Sequence, residues 1–320
     1  VPDGLALDRR RRLLAEALLV GVTAVWGWTF VVVKDAVSLL PPLPFLAVRF
    51  GVATFVMALV MGLMRSGKRR RRADGDTPGA IRRSLAPGLT MGAFLAAGYI
   101  FQTFGLQRTT ASNAGFITGM FVVLVPILQG LVWRVLPDTR AVLGVGAAAV
   151  GLFLLSGGAS ELHLLGDGLV FLCALSFSAH ILATSRYARY HDAGVLTVLQ
   201  LGVVAVLCAA FAATGAMFGV PLSLQALWEP EVLVALGVTA LLASAAAFYI
   251  QTFAQRYASP TRTAIILTME PVFAGLFGYA FAGERLTLAG WIGAAAILAG
   301  MLIAELRVPS SRRRSRVGEV

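Results

Sequence analysis

The sequence predicts an all-α polytopic membrane protein, ten transmembrane helices arranged as two inverted five-helix repeats. Three observations carry that prediction. The 320 residues are 58% hydrophobic and 13% charged, with mean hydropathy +0.81, whereas a soluble domain carries roughly 25% charged residues. Ten apolar runs come close to the about 20 residues that a spanning helix needs. One stretch also returns 149 residues later: Gln102-Thr103-Phe104 recurs as Gln251-Thr252-Phe253, and Met120, Gly144 and Gly151 recur as Met269, Gly293 and Gly300. In a membrane chain, repeated halves point to a site lying between them.

The elements follow in order. Residues 1–12 form a cytoplasmic N-terminal segment. The first repeat, 13–157, holds runs near 13–34, 44–64, 85–106, 113–133 and 140–157, with a basic cytoplasmic loop at 65–84. An external linker covers 158–166. The second repeat, 167–306, holds runs near 167–186, 194–215, 231–253, 262–282 and 287–306, and a basic cytoplasmic tail covers 307–320. Five spans is an odd number, so the second half enters the membrane from the opposite side to the first. The run at 13–34 is longer than the about 7–15 residues of a signal-peptide core and no small-residue cleavage site follows it, so it reads as span one. The initial Val1 leaves the processing of the N-terminus open.

The net charge of +11 raises nucleic-acid binding, but the placement of the charge answers it. Basic residues at Arg9 to Arg12, Arg65 to Arg83, Arg134 and Arg140, Arg186 and Arg189, Arg256 and Arg262, and Arg307 to Arg316 put 23 of the 27 on one side. Lys34, Arg108 and Arg285 fall on the other, and Arg49 within span two. This is the positive-inside pattern, with both termini cytoplasmic in an inner membrane. The two basic stretches set orientation and also suit anionic inner-leaflet lipid. Single cysteines at Gly75 and Ser310, in a chain lacking Cys173 and Cys208, are expected to stay unlabelled by membrane-impermeant thiol reagents in intact cells, and one at Gly158 to label. The opposite pattern would invert the topology.

Cys173 and Cys208 fall inside spans, as small apolar packing residues. Ala147-xxx-Gly151 and Ala296-xxx-Gly300 place small residues four apart in the last span of each half, which lets helix backbones approach closely in lipid. Such a pairing serves one chain or a homodimer, and the sequence leaves both open.

Trp26-Gly27, Arg49, Thr109-Thr110-Ala111-Ser112-Asn113-Ala114-Gly115-Phe116, Glu270-Pro271-Val272-Phe273 and Gly283-Glu284-Arg285-Leu286-Thr287 occur in that order along the chain. With these motifs the chain resembles the drug/metabolite transporter superfamily, specifically its EamA-type ten-helix members, from Leu13 to Leu306. Where many members have a Gly-Glu-Arg turn in the first half, this chain has Trp133-Arg134-Val135-Leu136-Pro137-Asp138. The resemblance implies a central cavity and transport of small metabolites such as amino acids, often outward.

Candidate site residues follow from polarity at depth. Glu270 lies about eight residues past Arg262, hence about 12 Å deep, close to the middle of a hydrocarbon layer about 30 Å thick. An acidic group there costs on the order of 3 kcal/mol and belongs in a polar cavity or against a partner helix. Pro271 next to it breaks the helical hydrogen-bond ladder, which is tolerated where backbone lines a cavity. His180, in span six with Ser176 and Thr184 on its face, is a candidate proton partner for Glu270. Arg49 either snorkels to the outer interface or turns inward to hold a substrate carboxylate, and Lys34 reads as an interfacial anchor. Val48-Arg49-Phe50-Gly51 aligns with Leu199-Gln200-Leu201-Gly202. Gln102 and Gln251, with Tyr99 and Tyr249 about a turn earlier, sit near opposite mouths and suit gates, although interfacial aromatics form belts as well. Trp26 is a candidate cavity wall. The chain has no Gly-Lys-Ser/Thr phosphate loop, and His163 and His191 fall on opposite sides, so no cofactor, metal or enzymatic activity is expected.

Overall fold

The computed structural model describes residues 2–33, 41–69, 77–135, 137–157, 163–218, 224–281, 283 and 285–305. Lys34, Glu284 and the labelling positions Gly75, Gly158 and Ser310 lie outside the described residues. Among the described residues the secondary structure is helical throughout. The helices are α1 (Pro2–Val33), α2 (Pro42–Arg69), α3 (Thr77–Leu106), α4 (Ala111–Gly119), α5 (Phe121–Trp133), α6 (Thr139–Leu155), α7 (Leu164–Tyr187) and α8 (Ala193–Met217). A 3-10 turn (Leu224–Trp228) leads into α9 (Pro230–Ala240), a π-helical turn (Leu241–Ala246), α10 (Ala247–Ala254), α11 (Pro260–Leu267), α12 (Glu270–Phe281) and α13 (Leu288–Glu305).

Among the described residues, seven helical stretches are long and apolar enough to cross a membrane: Pro42–Met64, Gly79–Leu106, Asn113–Trp133, Leu164–Tyr187, Ala193–Met217, Pro230–Ala254 and Pro260–Phe281. Thr139–Leu155 and Leu288–Ala304 are shorter apolar helices. α1 carries Arg10-Arg11-Arg12 and Glu16 in its first half and falls in neither group. Large apolar side chains such as Leu59, Leu131, Val150 and Leu302 face outward, while His180, Gln200, Ser244, Gln251 and Gln255 are buried. Apolar outside and polar inside is the arrangement that a lipid environment selects.

Two helix interruptions are related by the 149-residue offset. Thr110 caps α4 by accepting from the Asn113 amide at 3.1 Å, and Ser259 caps α11 by accepting from the Arg262 amide at 3.3 Å. Each cap satisfies an amide that helix geometry leaves unpaired. α4 then stops at Met120, and α11 stops ahead of Thr268-Met269. Glu270 therefore opens α12, and Pro271 is that helix's second residue. There its missing N–H is one that a first turn leaves unpaired anyway, so the interruption sits before the proline.

The most extensive helix pair is α6 with α13. A Cβ on Gly144 would lie 2.6 Å from the Gly300 carbonyl oxygen, and one on Gly151 2.5 Å from that of Gly293, so the two helices run antiparallel with backbones in contact. The small-residue pairing expected from the sequence thus occurs within one chain. α3 packs on α7 and α8, α2 on α8, α1 on α12 and α10, and α5 on α7.

Candidate functional site

Five elements converge on Arg49. Its Nε donates to Ser244 Oγ at 2.8 Å, and its guanidinium lies 5.2 Å from the Phe50 ring centroid and 5.8 Å from that of Tyr99. Ser244 is within the π-helical turn, where the wider i to i+5 winding displaces the backbone from regular α geometry. The neighbouring Ala243 carbonyl accepts from Trp26 Nε1 at 2.8 Å. Arg49 therefore points into the bundle and does not snorkel, because an inward hydroxyl and two ring faces receive it.

Glu270 is half-buried and within electrostatic reach of Arg49 and Tyr99. Among the described residues its carboxylate forms no hydrogen bond or salt bridge. α1 reaches α12 through Gly27, where a Cβ would stand 2.6 Å from Phe273 Cβ and 2.9 Å from the Glu270 carbonyl oxygen. That close approach puts Trp26 and Glu270 on facing helices. An acid, a guanidinium, a hydroxyl and several ring faces in one half-buried place can hold a small solute carrying both charges and an apolar part.

His180 is not brought to Glu270. It is buried with Nε2 donating to Gln200 Oε1 at 2.7 Å, and Gln200 Nε2 donates in turn to Thr252 Oγ1 at 3.1 Å. Thr184 Oγ1 is 3.4 Å from the same His180 nitrogen. The ring of Phe248 stands between this cluster and the Arg49 cluster, with centroids 6.1 Å from His180, 5.5 Å from Trp26 and 6.2 Å from Phe50. Gln102 is half-buried, Gln251 is 2% exposed, and Tyr249 is half-buried one residue round the helix from Phe248. An outward-facing apolar cavity of about 520 Å³ between α3, α7 and α8, lined by Ile100, Phe104, Leu169 and Phe211, holds none of these candidates.

A family model, the EamA-like transporter family, matches residues 13–157 and again 164–306. The chain belongs to the EamA-like transporter family, within the drug/metabolite transporter superfamily. It is a multi-pass membrane protein of a transporter family. It is 36% identical over 300 residues to an uncharacterized transporter of Archaeoglobus fulgidus, covering 93% of this chain and 88% of that one. It is 20% identical over 290 residues to the uncharacterized transporter YoaV of Bacillus subtilis, covering 89% and 94%. A solved crystal structure shares the fold, with TM-score 0.72 over 90% of this chain and 96% of its own at 19% identity.

The two EamA matches also expose residues that motif reading passes over. Glu16 in α1 is buried and pairs with Arg12 at 2.8 Å and with Arg262 of α11 at 3.7 Å. Asp167 in α7 accepts from Thr109 Oγ1 and, at 2.8 Å, from the His163 amide, and it interacts with Asn113 of α4. Asn113 and Arg262 are 149 residues apart. Each half of the EamA chain thus has an acid in its first helix tied to the other half, one at each end of the bundle. The Glu16 end is further tied by Thr261 to Gln129 at 3.2 Å, Gln255 to Ser185 at 2.9 Å, and Arg256 to the His191 carbonyl.

Proposed function

We propose that the protein is a secondary transporter moving small polar or amphipathic metabolites, amino acids or similar compounds, across the inner membrane, outward, by alternating access. The single observation that carries this reading is the half-buried Glu270 carboxylate, without a hydrogen bond or salt bridge among the described residues, at the start of a half-helix and within electrostatic reach of Arg49. Interrupted helices whose ends face a central site are a recurrent device of such carriers. Arg49 suits a substrate carboxylate, Glu270 a substrate ammonium or a coupled proton, and Trp26 and Tyr99 an apolar group.

Ten spans in two inverted repeats accommodate the described helices: α1, α2, α3, α4 with α5, and α6, then α7, α8, α9 with α10, α11 with α12, and α13. The antiparallel crossing of Gly144 with Gly300 and Gly151 with Gly293 supports this, because exchanging the halves turns one contact into the other. Gln102 half-buried against Gln251 at 2% exposed supports a state accessible from the Asp167 end and closed at the Glu16 end. The basic distribution favours both termini in the cytoplasm.

The test is flux. Purified protein in liposomes, screened against labelled amino acids and other small metabolites with and without a pH gradient, is expected to give saturable, vectorial movement of at least one compound without chemical change. Conversion of a compound by detergent-solubilised protein, with no vesicle present, would instead favour an enzyme.

A further inference from the structure

The π-helical turn, α10 and its C-terminal cap present Ser244, Phe248, Thr252 and Gln255 at successive turns, each about 4–6 Å further along the axis. At the level of Ser244 the surrounding side chains, Arg49, Trp26, Tyr99 and Glu270, are half-buried. Beyond Phe248, towards the Glu16 end, none of His180, Gln200, Gln251, Thr252 and Gln255 exceeds 3% exposure. The polar line along this face is therefore interrupted by one apolar ring, that of Phe248.

The sealed part is imperfectly satisfied. Gln251 Oε1 and Gln255 Oε1 are buried with no hydrogen-bond partner among the described residues, although the Gln255 amide donates to Ser185 and to the Ile181 carbonyl. Unpaired acceptors are costly in a protein interior, and intramembrane polar groups face a partner or a water-filled cavity. Among the described residues these two amide oxygens have no such partner. A state in which water reaches them accounts for their retention.

Phe248 is also related to the Arg49 cluster by the repeat. The 149-residue offset pairs it with Tyr99. Tyr99 packs on Phe177 of α7 with centroids 5.5 Å apart, and Phe248 packs on Trp26 of α1 at the same separation. Tyr99 is half-buried where Phe248 is 3% exposed.

We propose that Phe248 is the partition between the Arg49–Glu270 site and a sealed polar chamber formed by His180, Gln200, Gln251, Thr252 and Gln255, and that this chamber is the next station for the solute. The proposal rests on the transport reading, and its test separates the two. In a chain with Cys173 and Cys208 replaced by alanine, Thr252→Cys is exposed to a membrane-impermeant, positively charged methanethiosulfonate. The reagent is applied from whichever face labels a cysteine at the exposed Leu165, which marks the Asp167 end. With Phe248 intact, labelling is expected to be slow. Phe248→Ala is expected to speed it about tenfold or more, because the thiol then gains both water and access. Phe248→Leu, which keeps apolar bulk, is expected to stay slow.

Melting temperature and size-exclusion profile establish that the compared variants are folded. If folded Phe248→Ala labels no faster than Phe248→Leu, the partition is overturned, whatever the flux. If Phe248→Ala labels fast while the parent chain moves no solute in the liposome screen, the partition stands and the transport reading fails.

Discussion

Glu270→Gln is expected to abolish gradient-driven flux in proteoliposomes while expression, membrane insertion and detergent melting temperature stay at or above those of the parent chain. The amide keeps the shape of the side chain and removes only its charge. Because the carboxylate has no hydrogen bond or salt bridge among the described residues, the substitution breaks none, and Arg49, which loses a nearby negative charge, keeps its hydrogen bond to Ser244. A group that served only to hold the bundle would behave in the opposite way, since removing one member of a buried ion pair costs about 3–5 kcal/mol. An ionised carboxylate inside the hydrocarbon layer is itself unfavourable by about 3 kcal/mol, so an amide at this position is neutral or stabilising for the fold. Loss of flux with retained stability is then the signature of a binding or coupling role. Normal pH-dependent flux in Glu270→Gln would remove the residue from the mechanism. Lower stability with normal flux per folded molecule would make it structural.

What the sequence discloses about this site, and what it withholds, follow from chain separation. Composition and apolar runs suffice for an all-α membrane fold, because lipid imposes a composition and a length on each span. The depth of Glu270 can be counted from Arg262 along one helix. Its surroundings cannot be counted. Arg49 meets Ser244 across 195 residues and Trp26 meets Ala243 across 217, and no local periodicity encodes such meetings. The π-helical turn is equally silent, since Leu241-Leu242-Ala243-Ser244-Ala245-Ala246 contains neither glycine nor proline.

The repeat is the signal that reaches furthest. Matching by residue type pairs Tyr99 with Tyr249, whereas the 149-residue offset pairs it with Phe248, whose ring contacts mirror those of Tyr99. The same offset relates Asn113 to Arg262 and so leads to Asp167 and Glu16. Reading Arg9 to Arg12 as orientation charges conceals that Arg12 also neutralises Glu16. His180 has a hydrogen-bonding rather than an acidic neighbour because Gln200, the aligned counterpart of Arg49, reaches it first.

Gly293→Ala is expected to lower the detergent melting temperature markedly, and Gly146→Ala to leave it unchanged or raise it. The first Cβ would sit 2.5 Å from the Gly151 carbonyl oxygen and 2.6 Å from the Leu155 amide nitrogen. Both are backbone atoms, which cannot swing aside as the end of a flexible side chain can, so α6 and α13 must separate. Overpacking of this kind costs roughly 1–3 kcal/mol, and in lipid the close backbone approach is itself the source of helix affinity. A Cβ on Gly146, on the exposed face of α6, meets nothing within 4 Å. There alanine only exchanges a poor helix former for a good one, a gain of about 0.8–1 kcal/mol. Because the crossing lies within one chain, the loss in Gly293→Ala is expected to be independent of protein concentration, with an unchanged size-exclusion profile. A melting temperature that recovers as concentration rises would assign the crossing to a homodimer instead, and equal melting temperatures for the two variants would remove it as a major source of stability.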